Sequence, residues 1–82
     1  MPIRRFGSHK SPAKWRAQLR RRGWTLTQID EAVATGRRHP APNYVNLGNT
    51  ATRYIHPRTG QSVVIDDQTG EVLHVGERGY KY

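Results

Sequence analysis

Residues 49–75 read NTATRYIHPRTGQSVVIDDQTGEVLHV. Three runs carry the β-branched residues: Thr52 and Ile55, then Val63, Val64 and Ile65, then Val72 and Val75. Two turns separate them, each closing on Thr-Gly, at Thr59-Gly60 and Thr69-Gly70. A Gly at the end of a short hairpin loop supplies the left-handed backbone of a bulged turn, and β-branched side chains suit a pleated surface. The stretch is therefore expected to form three antiparallel strands.

If both turns are three-residue loops with the bulge at Gly, Ile55 lies opposite Val63, Arg53 opposite Ile65, and Ile65 opposite Leu73. Side chains alternate across a sheet. One face then carries Ala51, Arg53, Ile55, Val63, Ile65, Leu73 and Val75, apolar except for Arg53. The other carries Thr52, Tyr54, His56, Ser62, Val64, Asp66, Val72 and His74. The first face needs a cover, and the second is polar enough to stay open. A slip of one residue in either turn swaps the faces of the neighbouring strand.

The cover is encoded upstream. Ser11-Pro12 is an N-cap followed by Pro in the first helical position. Trp15 and Leu19 share one face of the helix that follows, Lys14, Arg16, Arg20, Arg21 and Arg22 occupy the rest, and Gly23 caps its end. A second helix opens with the capping box Thr25-Leu26-Thr27-Gln28, with Trp24 and Ile29 as its hydrophobic staple. Leu26, Ile29 and Val33 form its stripe, and Gly36 stops it. Pro40 and Pro42 forbid a helix in the next segment, where residues 43–47 suit a short edge strand. After Val75 two glycines give a turn, and Tyr80, Lys81 and Tyr82 are placed to return to the sheet. The fold class is α+β: two N-terminal helices packed on one face of a twisted antiparallel sheet of three to five strands. Residues 1–10 are expected to be a flexible basic arm, and 11–82 a single domain.

Within 82 residues there are 14 Lys and Arg against 6 Asp and Glu, a net charge of +8. Such a balance points to a polyanion, with nucleic acid first, an acidic protein second and an anionic membrane third. No Cys is present, so disulfides and thiolate metal sites are excluded. Residues 1–10 are basic but lack the apolar core of a signal peptide. The His spacing and the few carboxylates do not suggest a metal site, and no cofactor is implied.

An open sheet face beside basic helices suits single-stranded RNA: Lys and Arg meet phosphates, and Tyr or His stack on bases. Strand cleavage requires a group that takes the 2′-hydroxyl proton, one that protonates the leaving 5′-oxygen, and cations around the phosphate. Imidazole titrates near neutrality and suits the proton work. His56 and His74 fall on the same expected face, beside Tyr54 and Thr52. On base rates two such His are more often surface residues, Trp15 and Trp24 are core, and Asp66-Asp67 is turn chemistry.

RGWTxxQI at 22–29, GNTATRY at 48–54 and SVVIDDxTGEVLHV at 62–75 together resemble the ribonuclease domains of the colicin E-five type. These domains end bacterial polymorphic and contact-dependent inhibition toxins and also occur as free-standing toxins. The resemblance implies a barnase/RelE-like fold. It implies metal-independent cleavage of RNA, typically in tRNA anticodon loops, that leaves a 2′,3′-cyclic phosphate. It further implies an acidic immunity protein or antitoxin as partner, a monomer, and action in the cytoplasm of a target or producing bacterium, with delivery at the end of a larger secreted toxin. Work done by Lys and Arg rather than His raises Lys14. The expected catalytic set is His56, His74, Tyr54, Thr52 and Lys14. The expected RNA-binding set is Asn49, Arg53, Arg58, Lys81 and Tyr80. The alternatives are a non-enzymatic RNA-binding module and an mRNA-cleaving toxin of a toxin–antitoxin pair.

Overall fold

The computed structural model describes residues 6–76. Two helices, α1 (Pro12–Arg21) and α2 (Leu26–Thr35), precede four strands, β1 (Arg37–Ala41), β2 (Ala51–Ile55), β3 (Ser62–Asp66) and β4 (Val72–Gly76). The strands form one antiparallel sheet in the order β1-β2-β3-β4. This is the α+β architecture expected from the sequence.

The helix ends follow local chemistry. The Ser11 hydroxyl accepts from the Lys14 N–H at 3.2 Å, satisfying one of the orphan donors of the first turn. α1 ends in a Schellman motif, because Gly23 adopts φ +71°. Trp24 N–H then reaches back to Leu19 O at 2.8 Å and Gly23 N–H to Arg20 O at 3.3 Å. α2 begins with the expected capping box: Gln28 N–H donates to Thr25 Oγ1 at 3.1 Å, and Thr25 N–H donates to Gln28 Oε1 at 2.9 Å.

The helices and the sheet face beneath them build the main core from Trp15, Trp24, Ile29, Ala32, Val63, Ile65, Val72 and Val75. Ile29, Val63, Val72 and Val75 are fully buried, each worth roughly 1.5–3 kcal/mol. Both indoles place their N–H on buried carbonyls, Trp15 on Gly7 O at 2.8 Å and Trp24 on Gly76 O at 2.9 Å. Ala51, Val64 and Leu73 form a second, smaller cluster.

The register departs from the expected one. Each Thr-Gly turn holds four residues rather than three: His56 N–H donates to Gln61 O and Asp66 N–H to Glu71 O, which leaves 57–60 and 67–70 as the loops. Ile55 therefore pairs with Ser62, Arg53 with Val64 and Thr52 with Ile65. All of β2 is reversed. Thr52 and Tyr54 lie on the helix side, and Ala51, Arg53 and Ile55 on the far side. In β4 the same shift puts Val72 opposite Ile65, but a bulge between Val64 and Ile65 restores the expected pairing of Val64 with His74 and of Val63 with Val75.

The first strand also differs. It is Arg37–Ala41, and residues 43–47 belong to the loop after it. Pro40 lacks an N–H donor, which an edge strand tolerates. Where a flexible arm over 1–10 was expected, residues 6–10 lie against the domain. Phe6 bridges Val72 in parallel, Gly7 N–H donates to Val72 O at 2.8 Å, and Phe6 packs on Trp15 with ring centroids 5.0 Å apart. The remainder of that expectation, over 1–5, and the returning segment at 80–82 lie outside the described residues.

Candidate nucleic-acid interface

The strand register decides which basic residues share a surface. His39 pairs with Arg53, Arg53 with Val64, and Val64 with His74. Paired residues project to the same side, so His39, Arg53, Val64 and His74 form one row across all four strands on the face away from the helices. Arg37, paired with Ile55, lies on the same face. At a strand spacing of about 4.8 Å, His39 and His74 are roughly 14 Å apart.

The β4 end of the row is the more structured. Arg22, the C-cap residue of α1, places Nη1 3.3 Å from His74 Nε2 and 2.6 Å from Val75 O. A guanidinium only donates, so Nε2 of His74 is the acceptor and its proton sits on Nδ1. Burial pushes the imidazole down to a pKa of about 4, assisted by the charges of Arg22, Lys10 and His9. His74 is thus neutral at pH 7. Burial also lowers the Lys10 ammonium from its usual range, with Arg22 and Arg21 adding to it. Lys10 Nζ donates to Gln18 Oε1 at 2.7 Å and stands 4.6 Å from the centre of the Trp15 ring. Lys14, Gln18 and Arg22 follow at intervals of one helical turn, so Lys14 is exposed on the same stripe of α1 that ends at Arg22.

His56 is elsewhere. It is 2 % exposed on the helix side, edge-on to Trp24, and tied to Glu31 of α2. Its Nδ1 accepts the N–H groups of Arg58 at 3.1 Å and Thr59 at 3.3 Å. That leaves the proton on Nε2, which donates to Glu31 Oε1 at 3.2 Å. The expected His56–His74 pair is therefore not assembled, because the one-residue turn difference sends β2 the other way. Tyr54 packs against the core, with Arg38 over its ring at 5.9 Å. Thr52 donates to Asp67 Oδ1 at 2.7 Å. Asn49 Nδ2 donates to Asp66 Oδ2 at 3.1 Å, which gives it a structural partner. Arg58 pairs with Glu31 at 2.6 Å. Arg53 was assigned to the buried face and is instead on the basic row. Tyr80 and Lys81 lie outside the described residues.

Sequence reasoning missed Lys10, Arg22 and His39. Arg22 carried a signal, since the residue before a capping Gly is fixed in direction by the Schellman turn. His39 depended on recognising β1 through Pro40. Among the described residues no group of three or more His, Cys, Asp or Glu is gathered to hold a metal ion. No helix of the described residues is long and apolar enough to cross a membrane. A groove of about 680 Å³ lies on the helix side, lined by Phe6, Trp15, Leu19 and Leu26 with Lys10 and Arg16. It is largely apolar and borders the His74 cluster through Lys10.

Over 79 residues the chain is 34 % identical to Colicin-E5 of Escherichia coli, a match that covers 84 % of this chain and 43 % of that protein. The chain is thus similar to Colicin-E5 over most of its own length and spans less than half of that relative. No family model matches it. No solved structure matches it significantly.

Proposed function

We propose that this chain is a toxin ribonuclease domain that cuts RNA, with tRNA anticodon loops as substrate, by attack of a 2′-hydroxyl on the adjacent phosphate. The observation that carries the reading is the cluster of Arg22, Lys10 and His74 at the β4 edge, where the end of α1 meets the row on the far sheet face. Likeness to Colicin-E5 supports the same conclusion. When RNA binds, Arg22 turns from His74 Nε2 to the phosphate, and the freed Nε2 takes the proton of the 2′-hydroxyl as that oxygen bonds to phosphorus. The P–O5′ bond breaks, and the Lys10 ammonium supplies the proton to the leaving 5′-oxygen. The products are a 2′,3′-cyclic phosphate and a 5′-hydroxyl, and the chemistry needs no metal. Arg22 stabilises the charge gathered on the phosphate. Burial, with the Arg22 and Lys10 charges, keeps His74 neutral in the free protein, and a bound phosphate offsets those charges and raises its basicity toward working pH. Lys14, Arg53 and His39 hold the flanking phosphates.

Thr52, Tyr54 and His56 are not assigned chemical roles here, because each is engaged on the helix side. An acidic immunity protein or antitoxin would cover the basic row, with its approach steered by charge. The domain would act in bacterial cytoplasm, delivered as the end of a larger toxin. A non-enzymatic RNA-binding module is the second reading, favoured by the separation of the two His.

Total tRNA incubated with the purified chain in EDTA is expected to give discrete fragments ending in cyclic phosphate. His74→Ala should slow their appearance about 10²–10⁴-fold. Absence of fragments at any protein concentration would rule out the enzyme and leave the binding module.

A further inference from the structure

The loop from 42 to 50, between β1 and β2, is braced to an unusual degree for nine residues of connection. Three of its side chains converge on one buried carboxylate. Asp66 is 0 % exposed, and its Oδ2 accepts Nδ2 of Asn43 at 2.9 Å, of Asn46 at 2.8 Å and of Asn49 at 3.1 Å. Asn43 Oδ1 turns back to accept the N–H groups of Val45 at 3.2 Å and Asn46 at 2.8 Å. Thr50 Oγ1 donates to Asp67 Oδ2 at 2.7 Å, and Asp67 N–H donates to Thr50 O at 3.0 Å. The loop is fixed from its first Asn to its last Thr.

What this brace holds out is apolar. Tyr44 and Leu47 are each 83 % exposed, and Val45 is 38 % exposed. A loop folded for its own stability would turn such side chains inward. This one directs its polar residues inward, to a carboxylate, and its largest apolar groups outward. It also joins the two strands that carry His39 and Arg53. Those residues sit two positions in from Ala41 and Ala51, roughly 7 Å along the strands.

We propose that Tyr44 is a base-stacking platform that takes an unstacked nucleotide base while the basic residues of the neighbouring strands hold the adjoining phosphates. The inference rests on the RNA-binding side of the function proposed above. A phenol ring offers a flat face that any base can use, and pre-fixing the loop removes the ordering cost that a mobile loop would incur on binding. The occupant is RNA because Arg53 and Arg37, on the strands that the loop joins, suit phosphates beside a flat ring that suits a base, whereas an acidic protein on the same charges would not depend on any one base.

The test uses the whole chain and short single-stranded RNAs 2′-O-methylated throughout, which bind but lack the nucleophile. Tyr44→Ala should lose about tenfold in affinity, while Tyr44→Phe should stay within about twofold. Removing the base at one position of the RNA should weaken wild type by the same factor and leave Tyr44→Ala unaffected. Tyr44 is exposed, so both variants should melt with wild type. Unchanged affinity in Tyr44→Ala overturns the proposal, as does a loss that is the same with and without each base. Unchanged affinity together with loss of a sedimenting dimer would make the loop a contact between copies of this chain. A wild type that cuts tRNA while Tyr44→Ala binds normally defeats this inference alone. Tyr44-dependent binding without any cutting defeats the ribonuclease reading alone. No binding by wild type overturns both.

Discussion

His56 and Asp66 occupy the same position in two successive turns and do the same work with different chemistry. The side chain of each accepts the N–H groups two and three residues ahead: Arg58 and Thr59 on His56 Nδ1, Gln68 and Thr69 on Asp66 Oδ1. Their carbonyls accept from Gly60 and Gly70, both at φ +74°. Thr59 and Thr69 accept in turn from the N–H groups of Gln61 and Glu71. The imidazole is therefore a turn-forming acceptor that replaces a carboxylate, and its other nitrogen ties the turn to α2 through Glu31.

That equivalence predicts the behaviour of His56 variants. His56→Ala removes the acceptor of two N–H groups and empties a buried site, at a cost of about 2–3 kcal/mol. His56→Asn supplies an acceptor at the matching place and should recover part of the loss. Urea melts of the three proteins give the order wild type, Asn, Ala. RNA cleavage per folded molecule should be unaffected in both variants. A selective loss of cleavage in stably folded His56→Asn would return His56 to the chemistry.

Asp66 sets an acid limit on the loop. Burial works to raise its pKa and is outweighed by the Asn46 amide, the Thr69 N–H and the Asn49 and Asn43 amides, which hold the carboxyl well below the usual carboxylate range. A depressed carboxyl contributes its stability above the unfolded value of 3.8 and loses it as pH falls toward the folded one. Stability measured from pH 5 downward should therefore begin to fall near pH 4. Asp66→Asn should be less stable at pH 7 and lack this part of the acid dependence. An unchanged profile in Asp66→Asn would show that the carboxylate is not the loop's anchor.

Both helices, their caps and the presence of three strands after Asn49 were legible because each is written in local chemistry: Ser11-Pro12, Thr25 with Gln28, Gly23, and the Thr-Gly turns. Face assignment was not. It hinges on whether a loop has three residues or four, and the same Pro-Arg-Thr-Gly letters serve either length. What selects four here is the acceptor at the turn's start, which for Asp66 is a familiar device and for His56 is not. The second barrier was distance in sequence. Arg22 meets His74, and Asn43 and Asn46 meet Asp66, only once the sheet has formed, and no local pattern announces either meeting.

Close approach of backbones makes Gly36 irreplaceable. A Cβ built there would meet the carbonyl oxygens of Ile55 and Ala32, neither of which can rotate away. Its φ of −76° is ordinary, so the constraint is space alone. Gly36→Ala should cost roughly 1–3 kcal/mol by forcing the end of α2 away from β2. A thermal melt equal to wild type would mean that α2 and β2 can separate there without loss.

The state of His74 can be read by its ring resonances. With a folded pKa of about 4 against 6.5 for a free imidazole, it should stay neutral through the range where exposed His residues titrate. A lowered imidazole contributes stability above pH 6.5 and loses it as pH falls toward 4, since the unfolded chain takes up the proton first. Arg22→Gln removes one neighbouring charge and should move the His74 titration upward. Adding an uncleavable 2′-O-methyl RNA should move it upward in wild type, as phosphate offsets the cations. Lys10→Gln should have the smaller upward effect of the two substitutions, because Arg22 stands 3.3 Å from Nε2 and stabilises the neutral ring by donating to it. A His74 resonance that ignores bound RNA would remove it as the base and leave Arg22 and Lys10 to act alone, and one that titrates near 6.5 in the free protein would show that burial does not lower it.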